Sequence, residues 1–395
     1  MKTKKSTIWI CFFAILLLDC FFLLLMSSEI SISYREALSF FSQDNFAGFI
    51  AHISTQWFGQ NDIALRLPFL LAHLANLCFV FGICNHYLKK PIDSLLCVGI
   101  FALLPGINVI AILVSKSVFV LFLALLLCYL HIKRFNAIFF PLCFLASFLD
   151  YSFSIIFLAL LLYAFRHKHN HTLIFSLVCF GINMYFFNPQ INGIPSGHFL
   201  DTIGLLALLY SPVLFVYYVY TLYHRISKKE HTLILYIGAT SILFTLLLSL
   251  RQEIDLHTFL PLSAVGLPVM IKVFMHDLRI RLKDFRRSYV RRFYILLLPL
   301  LFEFFFLAGN KIIFLFDKHH FLDNVYYAKE IAKELKARDI YALQTSPRLQ
   351  EQLRFYGIKN SPSLQLIPQN GGEIKVQYLG VKVREYALKT YTSPQ

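Results

Sequence analysis

The sequence predicts a polytopic α-helical membrane protein with a small α/β domain at its C-terminal end, on three observations. The first is composition: 57% of the 395 residues are hydrophobic, only 15% are charged, and 42 are phenylalanine, far more apolar than a soluble domain. The second is run length. A spanning helix needs about 20 mostly apolar residues, because a rise of about 1.5 Å per residue must cross about 30 Å of hydrocarbon. Runs of roughly that length recur from residue 7 to residue 309. The third is the alternation of lysine-rich and arginine-rich loops with loops nearly free of both.

Taken in order, eleven segments read as spans: 7–26, 68–84, 92–113, 117–131, 136–149, 151–165, 172–187, 202–223, 232–250, 258–275 and 293–309. The pair meeting at Asp150 reads either as two short helices or as one re-entrant hairpin, which is tolerated only where other protein covers the backbone. The first span follows Lys4 and Lys5 as a signal sequence would, but it is long and shows no small-residue cleavage site near Ser27–Ser31, so an uncleaved anchor is expected. Alternate loops, from Lys2 to the run Arg279–Arg292, carry nineteen lysines and arginines. The opposite loops hold four, Arg35, Arg66, Lys116 and Arg251. This asymmetry predicts a cytoplasmic N-terminus and an outer location for residues 310–395.

The same asymmetry explains the formal net charge of +15. Cationic loops on the cytoplasmic side set topology and meet anionic headgroups, so no nucleic-acid partner is inferred. All eight cysteines fall in or at the ends of apolar spans, which argues against a disulfide framework and a thiolate metal site. The chain has no P-loop, no HExxH and no GxSxG, and no internal repeat. Asp19, inside the first span, is expected to face other helices, and His73 and Asn76 to bond between helices.

Two outer regions are large enough for chemistry. In the loop 27–67, Phe46, Phe49, Ile50, Ile53 and Trp57 share one face at helical spacing, which predicts an amphipathic helix lying in the membrane surface. Upstream, Tyr34, Leu38 and Phe41 share a face that leaves Glu36 pointing away from the packing stripe. In the C-terminal segment, "NVYYAKEIAKELKARD" predicts a helix with Val325, Ala328, Ile331, Ala332 and Leu335 inward. "DIYAL", "SLQLI" and "EIKVQYL" predict short strands around a second helix near 348–355. This C-terminal domain shows neither a phosphate loop nor metal-ligand spacing.

Polar groups gather at the outer ends of the spans: Arg35, Glu36, Arg66, Lys116, Arg251, Glu253, Asp255 and His257. Cations there suit a phosphate, and a carboxylate or histidine suits proton transfer. Each also has an ordinary reading, Glu36 as a loop charge beside Arg35 and the cations as residues that snorkel at span ends.

Three stretches carry a family resemblance. "FGQNDIALRLPFLLAHLAN" (58–76) resembles the G-x-x-x-x-x-x-R-L-P opening of the second span of GT-C glycosyltransferases, among them the protein O-mannosyltransferases and the lipid A aminoarabinose transferases. "LLPGINVIAILV" (103–114) is similar to the family's third and fourth spans, and "HTFLPLSAVGLPVM" (257–270) to its late span entry. The resemblance implies a GT-C-like transmembrane domain over 1–309, with 27–67 as its large first outer loop, and an extracytoplasmic domain over 310–395. It implies an inner-membrane enzyme moving a sugar from a polyprenyl-phosphate donor to a lipid, glycan or protein acceptor at the outer face. Glu36 would then be the catalytic carboxylate, with Arg66, Lys116 and Arg251 on the donor phosphate and Arg35, Asp255 and His257 as accessories. No cofactor is assigned; a divalent metal stays open, with no ligand set to place it. The sequence departs from the pattern twice: Arg35-Glu36 stands where the family carries an Asp, often Asp-Glu, and Lys116-Ser117 where many members carry a second Asp. Two other classes fit the same polar groups, a lipid-handling protein without chemistry and a small-solute transporter.

Overall fold

The structure is a computed structural model, and it describes residues 5–42, 45–188, 197–254, 259–309, 326–369, 371–378 and 381–390. In chain order the helices are α1 (Lys5–Glu29), α2 (Tyr34–Ser42), α3 (Phe46–Phe58), α4 (Asp62–Tyr87), α5 (Pro91–Leu103), α6 (Pro105–Ile112), α7 (Ser117–Ile132), α8 (Asn136–Ala146) and α9 (Phe153–His167). They continue as α10 (Asn170–Phe187), α11 (Phe199–Tyr210), α12 (Pro212–Ser227), α13 (Leu233–Ser249), α14 (Leu260–Ser263), α15 (Leu267–Ile280), α16 (Lys283–Ala308), α17 (Tyr327–Ala337) and α18 (Pro347–Phe355). Three strands follow, β1 (Leu364–Pro368), β2 (Ile374–Tyr378) and β3 (Val381–Thr390).

Each apolar segment expected to span is helical over most of its described length. Local chemistry sets several of the breaks. The residue before a proline is pushed out of the helical region, so the chain bends by 61° at Leu104-Pro105 and by 98° at Ser211-Pro212. Among the described residues, α1, α4, α10 and the α14–α15 stretch are long and apolar enough to cross a membrane, making four, or six if each bent pair is one span. By length and composition, four to six of the eleven expected crossings qualify among the described residues. The apolar helices α7, α8, α9 and α13 hold 11–17 residues, and 17 residues rise only about 26 Å.

The chain divides into two compact units. The first comprises Met1–Cys20, Leu71–Ala111 and Ser115–Phe304. Within it α9 packs on α10 and α13, and α13 packs on α14. The close approach there needs glycine: a Cβ on Gly266 would stand 2.2 Å from the Tyr218 hydroxyl, which donates to the Ser263 carbonyl at 2.5 Å. The stretch around Asp150 forms two helices, α8 and α9. Asn183 donates to the carbonyls of Ser147 and Asp150 at 2.9 and 3.0 Å, satisfying backbone groups where α8 has ended. The interhelical bonds expected of the buried polar residues are present: His73 Nε2 lies 3.0 Å from Asp19 Oδ2, and Asn76 donates to Val118 O at 3.3 Å. All eight cysteines are free thiols.

At one end of this unit Glu230, in the loop after α12, lies in an ion-pair network. It pairs with Lys272, with Arg225 at 3.2 Å, and accepts from the Tyr87 hydroxyl at 2.9 Å. Burial works against its charge, but the Lys272 ammonium, the Tyr87 hydroxyl and Arg225 together hold the carboxyl below the usual range. A depressed acid contributes stability that is complete above its unfolded value, about 4.3, and is lost as pH falls through the lower folded value. Glu230→Gln should therefore melt below wild type at neutral pH. The gap should close as the pH is taken below about 4, and a gap constant across that window would show that the carboxylate is not what the network uses.

The second unit comprises Phe21–Leu70, Ile112–Val114 and Phe305–Gln395. Asn45 caps α3 by accepting from Gly48 N at 2.7 Å, and a Cβ on Gly48 would fall 1.9 Å from Ser39 O, so α2 and α3 touch backbone to backbone. The face of α3 predicted to meet the membrane is exposed, with Trp57 at 79%, while Ala47, Ala51, Ser54 and Thr55 are packed inward. On α2 the expectation is reversed. Glu36, Ala37 and Phe40 are buried, and Leu38 is exposed. Near the C-terminus, α17 buries Ala328, Ile331, Ala332 and Leu335 as expected, and Tyr327 as well, whereas Val325 lies outside the described residues. "SLQLI" and "EIKVQYL" supply β1 and β2, but "DIYAL" forms no strand and contributes an isolated bridge, Ala342 to Lys359. The sheet is antiparallel in the order β1-β3-β2, so its central strand is β3, which the sequence reading did not foresee.

Candidate functional site

Glu36, the acid of the loop 27–67, sits in a buried knot. Ser33-x-x-Glu36 opens α2 as a capping box, in which cap and acid satisfy each other's backbone N–H. Ser33 Oγ accepts from Glu36 N at 3.3 Å, and Glu36 Oε2 accepts from Ser33 N at 2.8 Å. The other oxygen, Oε1, accepts from the Val114 amide at 2.8 Å. Glu36 is 4% exposed. The S-x-x-E pattern is the sequence signal that would have found this arrangement, and it explains why Glu36 lies on the packed face of α2 rather than away from it.

Arg66, near the start of α4, completes the knot. Its side chain is fully enclosed, with Nη2 3.6 Å from Glu36 Oε2. Nη1 donates to Ser27 O and Ile30 O at 3.0 and 2.8 Å, and Nη2 donates to Ser31 O at 3.1 Å. Ser27 lies in the last turn of α1, whose carbonyls lack helical partners, and Ile30 and Ser31 directly follow it; a cation suits the negative end of a helix. The guanidinium thus caps α1 and neutralises Glu36. Its Nε has no partner among the described residues. An arginine that merely marks a span end can be exchanged freely; Arg66 cannot, because its loss strands a buried carboxylate. Arg35, beside Glu36, is exposed and makes no hydrogen bond or ion pair among the described residues.

In the first unit, Lys116 precedes α7 and reaches Asp150 in the turn between α8 and α9. Nζ is 2.5 Å from Asp150 Oδ2 and 5.1 Å from the centre of the Tyr151 ring. Ser152 N donates to Asp150 Oδ1 at 2.8 Å, fixing the carboxylate. The lysine side chain is 45% exposed and the Asp150 side chain 7%. An ammonium has three donors, so Lys116 keeps two for a ligand. Where the family pattern expects an acid, this chain has Lys116-Ser117, and the fold brings a carboxylate to that lysine from Asp150. No local motif announces a pairing between residues so far apart in sequence. Arg251 lies exposed in the turn that follows α13, and Asp255 and His257 lie outside the described residues. Among the described residues no three His, Cys, Asp or Glu side chains gather as a metal-ligand set.

Apolar helices broken at prolines, together with a small C-terminal sheet, define a polytopic α-helical membrane protein. A crystal structure of ArnT from Cupriavidus metallidurans in the apo state is similar to this chain, with a TM-score of 0.57 and 13% sequence identity over 90% of this chain and 85% of that one. At that identity the likeness concerns the fold. No protein-family model matches the sequence, and no curated protein matches it.

Proposed function

We propose that this protein is a membrane glycosyltransferase that moves a sugar from a polyprenyl-phosphate donor to an acceptor of the cell envelope at the outer face of the membrane. The observation that carries the proposal is the GT-C-like fold, matched along 90% of the chain. Lys116 is assigned to the donor phosphate, because it is half-exposed and has two N–H donors beyond its bond to Asp150. Arg251 is assigned the same role as an exposed cation, and Arg35, Asp255 and His257 remain accessories by position in the sequence. Glu36 is assigned as the base for the acceptor hydroxyl. In that role it must release the Val114 amide from Oε1 while the capping box holds Oε2, so the reactive oxygen is Oε1.

Arg66 is assigned to position Glu36 rather than to touch the donor, since three backbone carbonyls and the carboxylate take up its two terminal nitrogens. Mass spectrometry of envelope lipids and glycans from cells with and without the gene should show one sugar substituent lost and restored by the wild-type chain. An unchanged envelope would sink the transferase reading. The enclosure of Glu36 favours a second reading, a lipid-handling protein of the same fold without chemistry. In that case the sugars persist in the deletion strain while the distribution of one lipid changes.

A further inference from the structure

A groove of about 670 Å³ lies in the second unit. It takes residues from the last turn of α1, Ser28, and from the first turns of α4, Asp62 to Leu67. Both helices are long and apolar enough to cross a membrane. A cavity built where two spans begin and end lies at the level of the headgroups, not in the hydrocarbon or the bulk solvent.

Its two walls differ in chemistry. Phe58, Ile63 and Leu67 line one part, and Phe58 is 60% and Ile63 42% exposed. Lys329, Lys333 and Lys336 line the other, spaced along α17 so that they share one stripe. Lys329 is tied down: Nζ lies 2.9 Å from Asp62 Oδ2 and donates to Ser28 O at 2.6 Å. The Tyr356 hydroxyl donates to Asp62 Oδ1 at 2.5 Å. Burial and the adjacent Asp62 push the Tyr356 hydroxyl well above its ordinary value, so it stays a donor. Asp62, a single buried acid, is thus fully engaged, while Lys333 and Lys336 are exposed and have no ion pair among the described residues. The groove carries net positive charge over an apolar wall.

We propose that this groove is a binding site for the headgroup of an anionic phospholipid, with Lys333 and Lys336 on its net negative charge and Phe58, Ile63 and Leu67 against the first carbons of the acyl chains. The volume is within the range that holds a small ligand. The exposed apolar face of α3, ending at Trp57 and Phe58, places the apolar wall next to a surface suited to lie in the bilayer. The site is separate from the role assigned to Lys116 and requires no transfer chemistry.

The test uses the full chain in phosphatidylcholine vesicles containing a photoactivatable phosphatidylglycerol or a matched photoactivatable phosphatidylcholine, with labelled peptides mapped by mass spectrometry. Peptides covering residues 58–67 and 327–338 should be labelled preferentially by the anionic lipid. Lys333→Gln with Lys336→Gln should cut that labelling by about fivefold for each lysine, leaving phosphatidylcholine labelling and the melting temperature unchanged. Equal labelling by the two lipids overturns the proposal, as does an unchanged preference in the double variant. Suppression by soluble glycerol phosphate at a concentration equal to that of the anionic lipid also overturns it, because the acyl chains would then contribute nothing and the ligand would be a dissolved anion.

Discussion

Arg66→Met should unfold the second unit or leave it barely stable. Removing one member of a buried ion pair typically costs about 3–5 kcal/mol, because the remaining charge stays buried without compensation. Here the remaining charge is Glu36, 4% exposed, and the carbonyls of Ser27, Ile30 and Ser31 lose their donors as well. Against a typical total stability of about 5–15 kcal/mol, that loss is severe. The readout is the yield of monodisperse full-length protein and its melting temperature in detergent. The double change, Arg66→Met with Glu36→Met, should be less harmful than the sum of the two single changes, since it removes both charges together. A wild-type melt for Arg66→Met alone would mean that the guanidinium neither caps α1 nor holds Glu36.

Glu36→Gln should lower turnover per folded molecule by about 10²–10⁴-fold, the usual contribution of a general base. Yield must be measured alongside, because the substitution is not silent in the fold. Glu36 accepts from Ser33 N and from Val114 N, and a glutamine amide has one oxygen and one NH₂ group. One backbone donor therefore faces another donor, at a cost of about 1–3 kcal/mol. The two effects separate cleanly. Loss of folded protein reports the pin, and loss of product per folded molecule reports the base. If turnover per folded molecule falls less than about tenfold, Glu36 is only the pin and the base lies elsewhere.

What the amino-acid sequence determined by itself was the local part of this protein. Apolar run length and periodicity marked each helical segment, the exposed stripe of α3 and the buried stripe of α17, because these depend on residues three or four apart. The capping box at Ser33 and Glu36 was equally local and readable, but weighing Tyr34, Leu38 and Phe41 as the packing stripe hid it. The breaks at Leu104 and Ser211 were present as Pro105 and Pro212, though their effect on span count needed the bend angles.

Only the tertiary structure decided which charges meet. Glu36 bonds Val114 across 78 residues, Arg66 bonds carbonyls 35–39 residues away, and Tyr356 donates to Asp62 across 294. The strand β3 belongs to the same class, since it pairs with both β1 and β2 and is recognised by its partners rather than by its own pattern. A charge at the end of an apolar run carries the same local signature whether it faces lipid phosphate, a helix terminus or a buried acid. Burial makes the difference, because the penalty for an unpaired charge is paid only where water is excluded. That exclusion is a property of packed helices, and it turned Arg66 from an interchangeable span-end cation into a residue the fold needs.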